Sequence, residues 1–150
     1  MKILFLDHQG VMFLKLGIWP NTRIKPLDFD VDAISVLNKI IEETDCEIVV
    51  SSDWNMWVTL KEMGDFYVKQ GILKRPIGYA FGLDDYKNRI EIRRSLGIMN
   101  WLKNNPNVTN WVCVDDLDLR NHIKNFVWVE DTKNGIKSEN IIKQIISHLN

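Results

Sequence analysis

Three apolar runs of the sequence end in side chains that could do chemistry. Asp7 follows the first run, Ser51 follows the second, and the pair Asp115 and Asp116 follows the third. A polar residue that ends one strand and faces water is ordinary, but three such ends would meet at the same edge of a parallel sheet. Carboxylates from two strands are hard oxygen ligands that suit Mg²⁺, which also takes water and a substrate phosphate. The pattern therefore predicts a Mg²⁺ site for phosphoryl-group chemistry.

Strand and helix patterns alternate along the chain, which is typical of an α/β fold. Apolar β-prone runs predict strands, and apolar spacing of three and four residues predicts helices. The strands are expected at 3–6, 47–50, 111–114 and 126–129, and the helices from Asp30 to Ile41, at 54–69 with Gly71 as the stop, at 90–102, and after Ser138, while the segment 76–79 is left undecided. Such alternation predicts a Rossmann-like, three-layer αβα fold with a mainly parallel sheet.

Length and composition favour one domain over residues 1–150, with residues 12–30 as a loop or flap over the site. With a formal net charge of -1 the chain has no global attraction to polyanions, so a nucleic-acid partner would need a local basic patch. No apolar stretch approaches the length of a membrane span and no signal peptide is evident, which predicts a soluble, unexported protein. Cys46 and Cys113 lie in apolar surroundings, so we expect buried free thiols and a cytoplasmic location.

Several common site types are not indicated. His8, His122 and His148 are too dispersed for a zinc site, and each is better explained as a surface or packing residue. The sequence contains no nucleophile elbow and no glycine-rich phosphate loop.

The motifs resemble those of the haloacid dehalogenase-like (HAD) superfamily. ILFLDHQGV is similar to its first motif, VVS to its second and WVCVDD to its fourth, in the same order along the chain. More narrowly, SSDW, RRSLGIMNWL before VCVDDLD, and VWVEDTKNGI resemble the small HAD domain associated with Swiss-army-knife RNA repair proteins. This resemblance covers nearly the whole chain, and the separations between the motifs leave no room for a large cap domain.

The resemblance implies a role for each matching residue. Asp7 would be the nucleophile that forms an aspartyl-phosphate and would also bind Mg²⁺. The backbone carbonyl of Gln9 and the carboxylates of Asp115 and Asp116 would be the other protein ligands. Ser51 would donate a hydrogen bond to a phosphoryl oxygen.

A cation should offset the remaining negative charge of the site. Arg94 matches the basic residue at the head of the family's Trp-Leu helix. Lys87, Arg89 and Arg93 lie close to it in sequence, and the sequence does not choose among the four. For any one of the four, a solvated basic helix face is the simpler explanation.

Two residues depart from the family pattern. Gln9 stands where the phosphatases of the superfamily place the Asp that protonates the leaving oxygen and then activates water. A carboxamide cannot transfer that proton, so Gln9 indicates a slow phosphatase, different bond chemistry, or a lost activity. Asn55 stands where the narrower family usually has Arg, which affects phosphate affinity or substrate choice.

Two functions follow from these observations. The first is a Mg²⁺-dependent phosphatase or phosphotransferase that acts on a nucleotide or a nucleic-acid end. The second is a catalytically degenerate domain that binds a phosphorylated ligand or a protein partner. Trp19, Trp54 and Trp57 could stack on a base, although core or flap packing is the simpler explanation for each. The sequence leaves the oligomeric state open.

Overall fold

The computed structural model describes residues 1–13, 28–52, 58–82 and 87–150. The strands are β1 (Lys2–Leu6), β2 (Glu47–Val50), β3 (Gly78–Tyr79), β4 (Asn110–Asp115) and β5 (Phe126–Trp128). The helices are α1 (Val31–Thr44), α2 (Leu60–Gln70), α3 (Ile90–Asn104) and α4 (Glu139–Leu149), with a 3-10 helix at Gly135–Lys137. The predicted alternation of strands and helices is confirmed.

The five strands form one parallel sheet in the order β3-β2-β1-β4-β5. After β1 the chain builds outward through β2 and β3, and then returns to place β4 on the other side of β1. The strand order therefore reverses between β1 and β4. In open α/β sheets this switch point, at the carboxyl ends of the strands, is where ligands bind.

The two faces of the sheet bury different helices. Leu4 and Leu6 of β1 belong to a core that includes buried residues of α1, α2 and α4. Ile3 and Phe5 point to the opposite face, where they pack with Ile98 of α3. Because successive side chains of a strand alternate between faces, this division gives the predicted three-layer, Rossmann-like arrangement.

The start of α2 differs from the prediction. The Thr59 hydroxyl accepts a hydrogen bond from the Glu62 N–H at 3.1 Å, and the Glu62 carboxylate accepts one from the Thr59 N–H at 3.3 Å. This capping box begins α2 at Leu60, later than the predicted start at 54, and residues 54–57 of the prediction lie outside the described residues. The predicted stop is confirmed, because Gly71 ends α2 in a left-handed conformation.

The predicted flap lies mostly outside the described residues, which omit 14–27. At its two ends, Met12, Phe13 and Phe29 are buried core residues. The described ranges contain no large cap domain, as expected. Within them, no helix is long and apolar enough to cross a membrane.

Gly135 allows the segment after β5 to touch the loop after β1. It has a φ of 56°, and a β-carbon at this position would lie 2.3 Å from the carbonyl oxygen of Val11. The next residue, Ile136, donates a backbone hydrogen bond to that same oxygen at 3.0 Å. Main-chain contact therefore fixes the loop that follows Asp7.

We predict that Gly135→Ala destabilises the fold more than Gly71→Ala. Both glycines have positive φ, which costs an alanine about 1–2 kcal/mol, but a β-carbon at Gly71 meets nothing within 4 Å. The clash at Gly135 should add about 1–3 kcal/mol to that backbone cost. Urea unfolding of both variants measures the difference, and equal losses would show that the contact with Val11 is unimportant.

Candidate functional site

Asp7, Ser51 and Asp115 lie at one level on the carboxyl edge of the sheet. Leu6 pairs in register with Val50 of β2 and Val114 of β4, so the next residue on each strand is one of these three. The Asp7 N–H donates to the Val114 carbonyl at 3.2 Å, and the Ser51 N–H donates to the Leu6 carbonyl at 3.0 Å. The convergence predicted from the strand ends is therefore present in the register.

These three side chains also share the face of the sheet that α3 covers. The residues two positions earlier, Phe5, Val49 and Cys113, all belong to the core on that face. Since side chains repeat every two residues along a strand, Asp7, Ser51 and Asp115 point the same way.

The acids form a compact cluster. One carboxylate oxygen from each of Asp7, Asp115 and Asp116 lies within 4.8 Å of the others. Asp7 is 3% exposed and Asp115 is fully buried, whereas Asp116 is half-buried. Burial raises the pKa of Asp7 well above its usual range, the neighbouring Asp115 charge adds to the effect, and Arg94 opposes it. Burial likewise raises the pKa of Asp115, again against the opposing charge of Arg94.

Arg94 lies among these acids. Its Nη1 donates to the two carboxylate oxygens of Asp115 at 3.0 and 2.8 Å, and the same atom is 3.6 Å from Oδ1 of Asp7. Of the other basic candidates, Lys87 and Arg89 are exposed and Arg93 is half-buried. Within the described ranges, one guanidinium faces three carboxylates, and the excess negative charge is of the kind that a bound cation would offset.

The Ser51 hydroxyl is buried and has no nitrogen or oxygen hydrogen-bond partner within the described residues. The Cys113 thiol is close enough for this hydroxyl to lower its pKa slightly, but burial and the Asp115 charge keep that pKa well above the usual value. A thiol is only a weak hydrogen-bond partner. A buried hydroxyl without a strong partner, beside the carboxylates, is suited to a ligand oxygen.

Gly10 brings Asp116 close to the loop after β1. It has a φ of 78°, and a β-carbon here would lie 2.9 Å from Oδ2 of Asp116. A larger residue would therefore displace the third carboxylate. Gln9, next to it, is half-buried and forms a β-bridge with Phe13.

His8 points away from the acids, as expected for its place on the strand. Its Nε2 lies 2.7 Å from the hydroxyl of Tyr67 on α2, and its ring packs against Phe29. Burial lowers the pKa of His8 to about 3, so the ring is neutral at physiological pH. His8 is a packing residue of the opposite face.

Other predicted residues fall outside the described ranges, and sequence reasoning missed one. Asn55, Trp19, Trp54 and Trp57 are not among the described residues. The missed residue is Trp128 of β5, whose indole N–H donates to the backbone carbonyl of Asp116 at 3.1 Å. The only sequence signal for it is an aromatic residue at the end of a strand.

The sequence matches the model of a known protein family. The family of the HAD domain in Swiss Army Knife RNA repair proteins matches residues 3–141. The chain belongs to this family. Membership in this HAD family supports a phosphatase-type function in general, and HAD domains generally use Mg²⁺, for which the acid cluster offers ligands. No curated protein and no solved structure matches the chain.

We predict that Arg94→Gln destabilises the protein in the absence of divalent metal. The substitution leaves buried carboxylates without their counter-charge, which typically costs about 3–5 kcal/mol. Arg120→Gln is the control, because Arg120 also pairs with an aspartate, Asp118, but on the surface. Urea unfolding at neutral pH should show a large loss for the first variant and little change for the second. Similar losses would mean that the buried pair does not stabilise the fold.

Proposed function

We propose that this HAD domain is a Mg²⁺-dependent phosphatase or phosphotransferase that acts on a nucleotide or a nucleic-acid end through an aspartyl-phosphate. The observation that carries the proposal is the cluster at the switch point. There Asp7, Asp115 and Asp116 meet one arginine, beside the buried hydroxyl of Ser51 that lacks a strong partner.

The residues present fit a magnesium ion. Asp7, Asp115 and Asp116 offer oxygen ligands close enough to share one cation, and the resemblance adds the backbone carbonyl of Gln9. Arg94 alone does not balance the charge of the three acids. Bound Mg²⁺ would supply Lewis-acid stabilisation of the phosphoryl oxygens.

In the proposed reaction a carboxylate oxygen of Asp7 attacks phosphorus and the bond from phosphorus to the leaving oxygen breaks. Arg94 and the Ser51 hydroxyl stabilise the charge on the phosphoryl oxygens as it moves. Gln9 cannot give the leaving oxygen a proton, so that proton comes from solvent. Water then hydrolyses the aspartyl-phosphate and releases phosphate and Asp7, again without a base at position 9.

The substrate class follows from the shape of the site and from the family. The described residues place no cap domain over the carboxyl edge, which leaves room for a macromolecular end. The family's association with RNA repair proteins supports a nucleic-acid or nucleotide phosphate. We also propose one domain over residues 1–150, with residues 12–30 as its flap, and a cytoplasmic location, for which the buried free thiols of Cys46 and Cys113 are the support.

A second candidate function is binding without turnover. Gln9 favours it, because a site that keeps its charged groups but lacks the proton-transfer residue still recognises a phosphorylated ligand or a partner that carries one. In that case Arg94 and Ser51 would serve affinity alone.

We predict that Mg²⁺ binds at the acid cluster. Calorimetric titration should detect binding to the wild type, and Asp7→Asn and Asp115→Asn should each weaken it by about tenfold or more, since even outer-shell partners of a metal contribute that much. Asp65→Asn is the control, because Asp65 is a surface acid of α2 that pairs with Lys61 and Arg75. Equal binding by all four proteins would remove the metal from the proposal.

We predict that Gln9→Asp accelerates hydrolysis of phosphate esters by about 10²-fold or more, because it restores general acid–base catalysis. The wild type should show a burst with an aryl phosphate, whose leaving group needs little protonation, followed by a slow steady rate. Gln9→Asn is the matched control, since it has the size of Asp but cannot transfer a proton. The double variant with Asp7→Asn should be inactive. If Gln9→Asp hydrolyses no ester faster than Gln9→Asn does, the binding function is the better explanation.

A further inference from the structure

We infer that Trp128 is a positioning residue for Asp116, holding the third acid of the cluster where it can contact a cation. The inference rests on the metal site of the proposed function and deepens it. Trp128 lies at the carboxyl end of β5, in register with Asp115 of β4. It is therefore one strand away from the acid pair.

The backbone carbonyl groups of Asp115 and Asp116 both accept hydrogen bonds from the segment of β5 and the residue after it. The Val129 N–H donates to the Asp115 carbonyl at 2.9 Å as part of the backbone ladder. The indole Nε1–H of Trp128 donates to the Asp116 carbonyl at 3.1 Å. Because β4 ends at Asp115, Asp116 lies outside the strand. The indole therefore gives its carbonyl a hydrogen bond that the sheet ladder does not provide.

The direction of the Asp116 carboxylate depends on that backbone. Asp115 has further support from its carboxylate, which binds Arg94 and accepts from the Leu117 N–H at 2.9 Å. The Asp116 carboxylate lies within hydrogen-bonding reach of the Asp7 carboxyl and over Gly10, with Oδ2 2.9 Å from the place that a β-carbon of Gly10 would occupy. The carbonyl and the side chain of Asp116 are attached to the same α-carbon, so a hydrogen bond that holds the carbonyl also restricts the direction in which the carboxylate leaves the backbone.

The indole is itself held in place. Its ring packs against the core on the α3 face, and the guanidinium carbon of Arg120 lies 4.3 Å from the ring centroid. Arg120 is fixed by two hydrogen bonds of 2.8 Å to the carboxylate of Asp118. Packing on one side and a cation on the other limit the rotation of the ring, so its N–H keeps one direction.

Trp111 provides a matched comparison. It lies on the same face of the sheet, is half-buried like Trp128, and packs edge-on against Phe5 with 5.9 Å between the ring centroids. It is near the start of β4, at the opposite end of the strand from the acids. Substituting either residue by Phe removes one indole from the same core, but only Trp128→Phe removes a donor to Asp116.

The test is calorimetric titration of Mg²⁺ into the wild type, Trp128→Phe and Trp111→Phe, with urea unfolding to confirm that all three are folded. We expect Trp128→Phe to bind Mg²⁺ about tenfold more weakly, the low end for a lost outer-shell hydrogen bond, and Trp111→Phe to bind like the wild type. If both variants bind like the wild type, the positioning role is wrong while the metal site stands. If the wild type itself does not bind Mg²⁺, the metal site and the inference both fail.

A second measurement needs no variant to fold. In nitrogen-proton NMR spectra of the wild type, the indole N–H signal of Trp128 should shift as Mg²⁺ is added and that of Trp111 should stay in place. The shift should saturate with the affinity found by calorimetry. A Trp128 signal that does not respond while Mg²⁺ binds would overturn the inference.

Discussion

The candidate site depends on the repulsion among three carboxylates that lie close together and largely away from solvent. Asp7 and Asp115 are buried, Asp116 is half-buried, and their oxygens lie within 4.8 Å of one another. Such a cluster is unfavourable unless cations oppose it, because burial weakens solvation while mutual repulsion grows. Among the described residues, α3 supplies a cation to this cluster in Arg94. This excess of negative charge is the physical basis of the proposed magnesium site, since a divalent ion would offset it and would add an attraction for phosphate.

The parallel sheet explains how three neighbouring strands are enough to bring the side chains of the candidate site together. Equal register of β1 with its two neighbours places Asp7, Ser51 and Asp115 side by side, and the two-residue repeat of the strands turns all three toward α3. His8, one residue further, turns to the other face and pairs with Tyr67. Neighbouring residues thus separate into one that can act on a ligand and one that stabilises the packing of α2.

The ends of the strands could be predicted from the sequence because they depend on local apolar runs and on the two-residue alternation of side chains in a strand. The choice of Arg94 among its neighbours was not, since it depends on how α3 is rotated against the sheet, a tertiary property. β3 has only two residues, too few for any periodicity to show. The start of α2 was readable in principle, because Thr59 and Glu62 have the capping-box spacing. No sequence signal marks the contact of Trp128, because its indole donates to a backbone atom of another strand.

Gly97 allows α3 to pack closely against the chain that follows β3. A β-carbon there would lie 2.1 Å from the carbonyl oxygen of Phe81, so the helix backbone rests directly on the chain that follows β3. Contact between main chains sets the depth of α3, whatever side chains its outer surface carries. Substitutions at exposed positions such as Leu96 and Met99 are therefore not expected to move the guanidinium of Arg94, which lies one turn before Gly97. The position of the Arg94 charge therefore depends on the backbone contact at residue 97 more than on the exposed side chains of the helix.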